Sequence, residues 1–174
     1  MNPQSQQSVP EAQITPPAQQ IPLTKGKFAL VDNEDFEKAN QFKWFFSNSG
    51  YAMVHKKYYH SRKQYTIHLS RLIINAPEDK EVDHINGNKL DNRKANLRIA
   101  TRSQNAMNSK IAKSNTSGYK GVSWFKRDSK WRADIRINYK SIFLGLFTNK
   151  KDAVQSYNQA AKQYFGEFAR LNTL

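Results

Sequence analysis

Asp83 and His84 stand side by side at the head of DHINGNKLDNRKANLRIATRSQNAMN, a segment that runs to Asn108. An aspartate carboxylate and an asparagine carbonyl are hard oxygen ligands suited to magnesium or manganese, and two protein ligands leave coordination positions for phosphate oxygens and water. An imidazole, with an unperturbed pKa near ~6.5, can take a proton from an attacking water near neutral pH. A divalent ion stabilises the pentacovalent charge and the departing oxygen. Such a set is sufficient to hydrolyse a phosphodiester.

Positioning these groups requires particular elements. Val82-Asp83-His84-Ile85 predicts a short strand, followed by a loop dense in Asn, Gly and Asp, whose side chains bond to their own backbone and hold irregular turns. Leu97 to Thr101 predicts a second strand. Thr101 with Gln104 has the form of a capping box, so a helix starts at about Arg102 with Asn105 one turn into it. Neighbours on a regular strand point to opposite faces, so Asp83 and His84 share a site only if the strand ends or twists there. Ile85-Asn86-Gly87-Asn88 supplies a turn at that point, and Gly87 tolerates positive φ. A lone Asp-His pair is more simply a hydrogen-bonded histidine among turn-forming asparagines, but the complete spacing argues for a site. His55 and His60, in a Lys- and Tyr-rich stretch, are read as surface residues.

The 174 residues carry 28 Lys and Arg against 14 Asp and Glu, a formal charge of +14 that points to polyanionic partners. Between Asn92 and Arg127 every charged side chain is basic, which is hard to reconcile with a solvated surface of mixed sign and suits phosphate binding. With no cysteine, disulfides, thiolate nucleophiles and cysteine-based zinc sites are excluded. No apolar run approaches a membrane span, and the N-terminus lacks a signal-type pattern, so a cytoplasmic protein without a membrane partner is expected.

Residues 1–24, rich in Gln, Pro and Ser, are expected to form a disordered tail. A folded unit is expected over 25–111, opening with Phe28 to Val31, a short capped helix carrying Phe36, Ala39 and Phe42, and a hairpin around Ser47-Asn48-Ser49-Gly50. The polar stretch 112–117 is read as a flexible linker to a second unit over 118–174. There Trp131, Ala133, Ile135 and Ile137 alternate with Arg132, Asp134, Arg136 and Asn138, predicting a strand with one core face and one charged face. Tyr119 to Phe125 and Ser141 to Phe147 predict flanking antiparallel strands. From Thr148 or Asn149 a helix bearing Ala153, Val154, Tyr157, Ala160, Ala161, Tyr164 and Phe165 on one stripe should cover the apolar side and stop at Gly166. The uncovered face then displays Arg132, Asp134 and Arg136, flanked by Lys120, Lys126, Arg127 and Lys140, and a convex basic sheet of this kind can enter the major groove of double-stranded DNA.

The pattern D-H-I-N-G-N-x-L-D-N-R, then N-L-R, then S-Q-N resembles the H-N-H endonucleases, particularly homing-type members found as free-standing genes in phages. The resemblance implies an α+β fold in which a strand, loop, strand and helix (the ββα-metal or His-Me finger) clamp one divalent ion, magnesium or manganese, with no organic cofactor. It assigns His84 as general base and Asp83 and Asn105 as metal ligands. Asn108 is the alternative helix ligand, and Asn96, Asp91 and Asn92 become supports of the loop. Ser70 stands where related sequences carry a histidine, with His68 two positions earlier, which leaves Arg71 as a phosphate contact. Residues 117–172, through Y-K-G-V, W-R-A-D-I-R, F-L-G-x-F and A-x-x-S-Y-N-x-A-A-K-x-x-F-G-E, resemble the DNA-binding domain of the plant ethylene-response-factor and APETALA-two class, which is also found attached to phage nucleases. Matching positions imply DNA contacts at Lys120, Ser123, Asp134, Arg136 and Phe143. Ser123 and Phe143 replace the plant arginine and tryptophan, so sequence preference does not transfer. The function expected is a DNA endonuclease, probed by metal-dependent conversion of plasmid. The alternative is a non-catalytic DNA-binding regulator that grips DNA equally in EDTA. An RNA-binding protein is the weaker third option, because the chain lacks a single-strand stacking pattern.

Overall fold

The computed structural model describes residues 17–57 and 64–174. The expectations for residues 1–16 and for His60 lie outside the described residues. The chain is mixed α and β, with small antiparallel sheets and few helices.

The expectation of a disordered tail to residue 24 does not hold for its described part, which is ordered from Ala18 onward. Strand β1 (Ala18–Pro22) pairs antiparallel with β2 (Phe28–Asp32). The reason is Ile21 and Leu23, two apolar side chains in a polar stretch, which are buried with Ala29, Val31 and Trp44; average composition does not reveal such anchors. Helix α1 (Phe36–Asn40) follows, and the Trp44 indole donates to the Ala39 carbonyl at 2.8 Å, tying the indole to the end of the helix. Strand β3 (Phe45–Phe46), β4 (Ala52–Lys57) and β5 (Gln64–His68) form a meander, and the apolar stretch Tyr65–Ile74 divides at His68 into β5 and helix α2 (Leu69–Ile74). Leu69, Ile73 and Leu97 complete this core. Because Leu97 belongs to strand β7 (Leu97–Ala100), the core also fixes the two-stranded sheet that β7 makes with β6 (Glu81–His84).

The C-terminal part has the expected order: β8 (Val122–Phe125), β9 (Lys130–Ile137) and β10 (Lys140–Phe147) form an antiparallel sheet with β9 central, and helix α4 (Lys150–Phe165) lies across it. Asn149 caps the helix by accepting from the Lys151 amide at 2.9 Å. Ala133, Ile135, Val154, Tyr157 and Ala161 form the buried seam. The first strand starts at Val122 rather than Tyr119, because Gly118 and Gly121 take φ of +81° and +71° and turn the chain. A Cβ on Gly121 would lie 2.1 Å from the Tyr157 ring, so the close approach of β8 to α4 needs glycine there. Residues 112–117 contain no helix or strand, yet they are not a free tether. Asn115 donates to the Tyr119 carbonyl at 3.0 Å and accepts from the Gly118 amide at 2.7 Å, and Ser117 is buried. No helix among the described residues is long and apolar enough to cross a membrane.

Candidate active site

β6 and β7 pair with Asp83 opposite Arg98 and His84 opposite Leu97. Helix α3 (Arg102–Met107) starts at Thr101, whose hydroxyl accepts from the Gln104 amide at 3.2 Å while Gln104 Oε1 accepts from the Thr101 amide at 2.8 Å. The capping box is therefore reciprocal, and it sets the helix phase so that Asn105 and Asn108 share a face.

The strand ends at His84. The Gly87 amide donates to the His84 carbonyl at 2.7 Å, and the Ile85 amide donates to the Asn96 carbonyl at 2.9 Å. Asp83 and His84, neighbours that a continuing strand would separate, thereby line one cavity of about 860 Å³ together with Glu81, Asn105 and Asn108.

The loop between the strands is held by its own side chains. Asn96 accepts from the Asn86 amide at 2.9 Å and donates to the Asp91 carbonyl at 2.8 Å. Asp91 accepts from Arg93 Nε and Nη2 at 2.7 and 2.8 Å and from Asn86 at 2.9 Å, and the Arg93 guanidinium holds its carboxyl below the usual range. Asn92 is buried, and its Oδ1 lies 3.3 Å from His84 Nε2. With Oδ1 as acceptor, Nε2 carries the proton and Nδ1 is the basic nitrogen. Burial lowers the His84 pKa and outweighs the opposing effects of Asn92, Asp83 and Asp91. The imidazole is thus biased toward its neutral form.

Asp83 is only 3% exposed. Its Oδ2 accepts from Arg98 Nε and Nη2 at 2.9 and 2.7 Å, and its Oδ1 accepts from Asn108 Nδ2 at 2.8 Å. Asn105 donates to Glu81 Oε2 at 2.6 Å. The two carboxamides on one helix face thus meet the two carboxylates on one strand face in register, and the amide touching Asp83 is Asn108, while Asn105 faces Glu81. The donors suit a hard divalent cation: Asp83 Oδ1 keeps a lone pair beyond its bond from Asn108, and Asn105 Oδ1 has no partner among the described residues. Among the described residues no group of three or more His, Cys, Asp or Glu could hold a metal, so carboxamide oxygens are needed to complete such a set.

Sequence reasoning missed Arg98, Glu81 and Tyr51. Alternation puts Glu81 on the face of Asp83, and the antiparallel register puts Arg98 opposite it, so both were accessible from strand pairing. Tyr51 has no such signal; its ring centroid lies 6.0 Å from that of His84 and 5.1 Å from that of His68. His68 approaches the site through Tyr51, and Ser70 is buried on α2.

Two expected DNA contacts are employed elsewhere. Arg71 donates to the carbonyls of Lys80, Ala76 and Pro77 at 2.7, 3.1 and 2.6 Å, so its guanidinium ties down the loop after α2. Lys120 Nζ donates to the Met107 and Ser109 carbonyls at 2.6 and 3.1 Å, at the end of α3. The reason in both cases is that orphan carbonyls beyond a helix recruit the nearest cation. Burial, followed by the Arg170 charge, pushes the Lys120 amine down to about 8. An NMR titration of lysine side chains should therefore give Lys120 a midpoint of about 8; the ordinary lysine value would mean that the amine is in water and free for DNA.

Of the remaining positions, Arg132, Asp134, Arg136 and Phe143 share the sheet face turned away from α4, while Lys126 and Arg127 lie in the turn between β8 and β9 and Lys140 opens β10. Arg132 is paired bidentately with Asp134 at 2.7 and 2.8 Å and lies over the Phe143 ring at 5.2 Å. Arg127 is paired with Asp128. Ser123, Lys126, Arg136, Lys140 and Phe143 are exposed.

Strands, loop and helix thus gather an imidazole, carboxylates and carboxamides at one cavity, and the chain belongs to the HNH endonuclease family. A family model described as HNH endonuclease matches residues 75–107. The chain is 34% identical over 152 residues to Uncharacterized HNH endonuclease L560 of Acanthamoeba polyphaga mimivirus, a match covering 86% of this chain and 77% of that protein. It is 46% identical over 64 residues to Protein 3.8 of Escherichia phage T7, covering 37% of this chain and 53% of that protein. No solved structure matches the chain. The family points to DNA nuclease activity.

Proposed function

We propose that the protein is a homing-type endonuclease that hydrolyses double-stranded DNA with one divalent ion, magnesium or manganese, and acts in the cytoplasm. The observation that carries this reading is that Asp83, His84 and Asn105 line one cavity while Asn92 orients the imidazole. His84 Nδ1 takes the proton of a water as its oxygen attacks phosphorus, and the P–O bond to the departing nucleoside oxygen breaks. Asp83 and Asn105, with Asn108 as the second helix amide, would hold the ion. Bound there, it would supply charge stabilisation to the phosphorane and the departing oxygen. Asn96, Asp91 and Asn92 keep the loop rigid so that the base does not wander. One such site cuts one strand, so a monomer nicks.

The C-terminal unit acts as a duplex-binding domain of the ethylene-response-factor kind, presenting Ser123, Lys126, Arg127, Arg132, Asp134, Arg136, Lys140 and Phe143. The sheet face left uncovered by α4 supports this. The Arg132–Asp134 pair holds the guanidinium plane in a fixed pose, which favours a directed contact over a diffuse one.

A second reading, a non-catalytic DNA-binding regulator, draws on Arg98, which already neutralises Asp83. Incubating supercoiled plasmid with the protein separates the two. A nuclease gives open-circular product with magnesium or manganese and none in EDTA. Unchanged plasmid in both metals, with equal binding in EDTA, selects the regulator.

A further inference from the structure

The segment that follows α4 returns to the site. It turns through Gly166–Phe168, where the Arg98 guanidinium lies 4.0 Å over the Phe168 ring and Nη1 donates to the Glu167 carbonyl at 2.6 Å. Further on, Asn172 accepts from the Lys120 amide at 2.7 Å and donates to the Lys120 carbonyl at 3.0 Å. Asn158 binds the Asn172 carbonyl and amide at 2.9 and 2.8 Å. Arg170 lies between these two anchors, and its side chain lines the cavity that holds Asp83, His84 and Asn105. A Cβ on Gly87 would stand 2.7 Å from Arg170 Nη1, so the guanidinium lies directly beside the post-His84 turn.

Arg170 is not a counter-ion already in use. It has no hydrogen-bond or ion-pair partner among the described residues, and Asp83 is neutralised by Arg98. Lys89, another cation of the cavity, is committed to the Ser49 carbonyl at 2.9 Å. A guanidinium with unspent donors, carried on an anchored backbone and lining the same cavity as His84, matches the two non-bridging oxygens of a phosphodiester. The backbone that carries it is pinned on both sides before substrate arrives, at Glu167 by Arg98 and at Asn172 by Lys120 and Asn158.

We propose that Arg170, delivered by the C-terminal unit, is a phosphate contact of the active site, so that this unit completes the site as well as holding the duplex. The inference rests on the nuclease reading above. Two substrates test it: supercoiled plasmid, and bis(4-nitrophenyl) phosphate, a phosphodiester with no duplex to grip. Arg170→Gln should lower kcat/KM on both by roughly a hundredfold, the scale of losing one charge-stabilising donor. Arg170→Lys should be intermediate, and added guanidinium should restore part of the Arg170→Gln rate. In EDTA the slope of log affinity for plasmid against log salt should flatten by about 1. Lys162→Gln, an exposed charge removed from α4, should leave both rates as they are.

Hydrolysis by Arg170→Gln at the wild-type rate overturns the proposal, as does a loss confined to plasmid, which would make Arg170 a duplex contact only. Should Arg170→Gln melt well below wild type, the guanidinium rescue decides: a restored rate supports the contact, and no restoration overturns it. A wild type inert on both substrates in either metal sinks the nuclease reading itself; an active wild type with an unaffected Arg170→Gln sinks this inference alone.

Discussion

Replacing His84 with alanine is expected to cut the rate of plasmid nicking by roughly 10²–10⁴-fold, the contribution of a positioned general base. The expectation follows from geometry. Nε2 is engaged by Asn92 at 3.3 Å, burial biases the ring toward its neutral form, and the imidazole borders the cavity that contains the carboxylates. Asn92→Ala should reproduce part of the loss with the base still present, because the tautomer and ring orientation are then unsupported. Duplex binding in EDTA should be close to wild type for both variants. Gel quantification of open-circular product over time, beside filter binding, separates catalysis from affinity. Equal nicking by His84→Ala would show that another group removes the proton.

The largest effect on stability is expected from Arg98→Met. Arg98 is 13% exposed at its side chain and Asp83 4%, so this is a buried pair. Removing the guanidinium leaves a buried carboxylate paired only with Asn108, and breaking such a pair typically costs about 3–5 kcal/mol. The methionine keeps apolar contact with Phe168, so the loss isolates the charge and the bond to Glu167. Urea denaturation should show a clearly lower midpoint. Asp83→Asn combined with Arg98→Met should recover much of the loss, because no unpaired charge then remains. Nicking should also fall, since the same guanidinium orients Asp83 and secures the turn that leads to Arg170. A wild-type midpoint for Arg98→Met would mean that water solvates Asp83 without help.

Local rules were enough for much of this molecule. The Thr101–Gln104 capping box, the Gly87 turn, the alternation of Trp131 to Ile137 and the stripe along α4 are each set by residues within a few positions of one another, and the structure places those elements where the pattern puts them, except that Tyr164 is exposed rather than part of the covered stripe. That the loop would be held by its own Asn and Asp side chains was legible for the same reason, and Asn86, Asp91 and Asn96 do find partners within it.

What folding alone decided involves partners far apart in the chain. The strand at Ala18–Pro22 exists because Ile21 and Leu23 find a core assembled from residues as distant as Leu97. Lys120 and Arg71 carry the charge that suits phosphate, but which cation meets an orphan carbonyl depends on where helices end in space. The choice of Asn108 over Asn105 for Asp83, and the return of Arg170 to the cavity, follow from the phase of α3 against β6 and from the docking of the C-terminal turn on Arg98. Sequence spacing specifies directions along an element; the distance between two elements is set only when their faces pack.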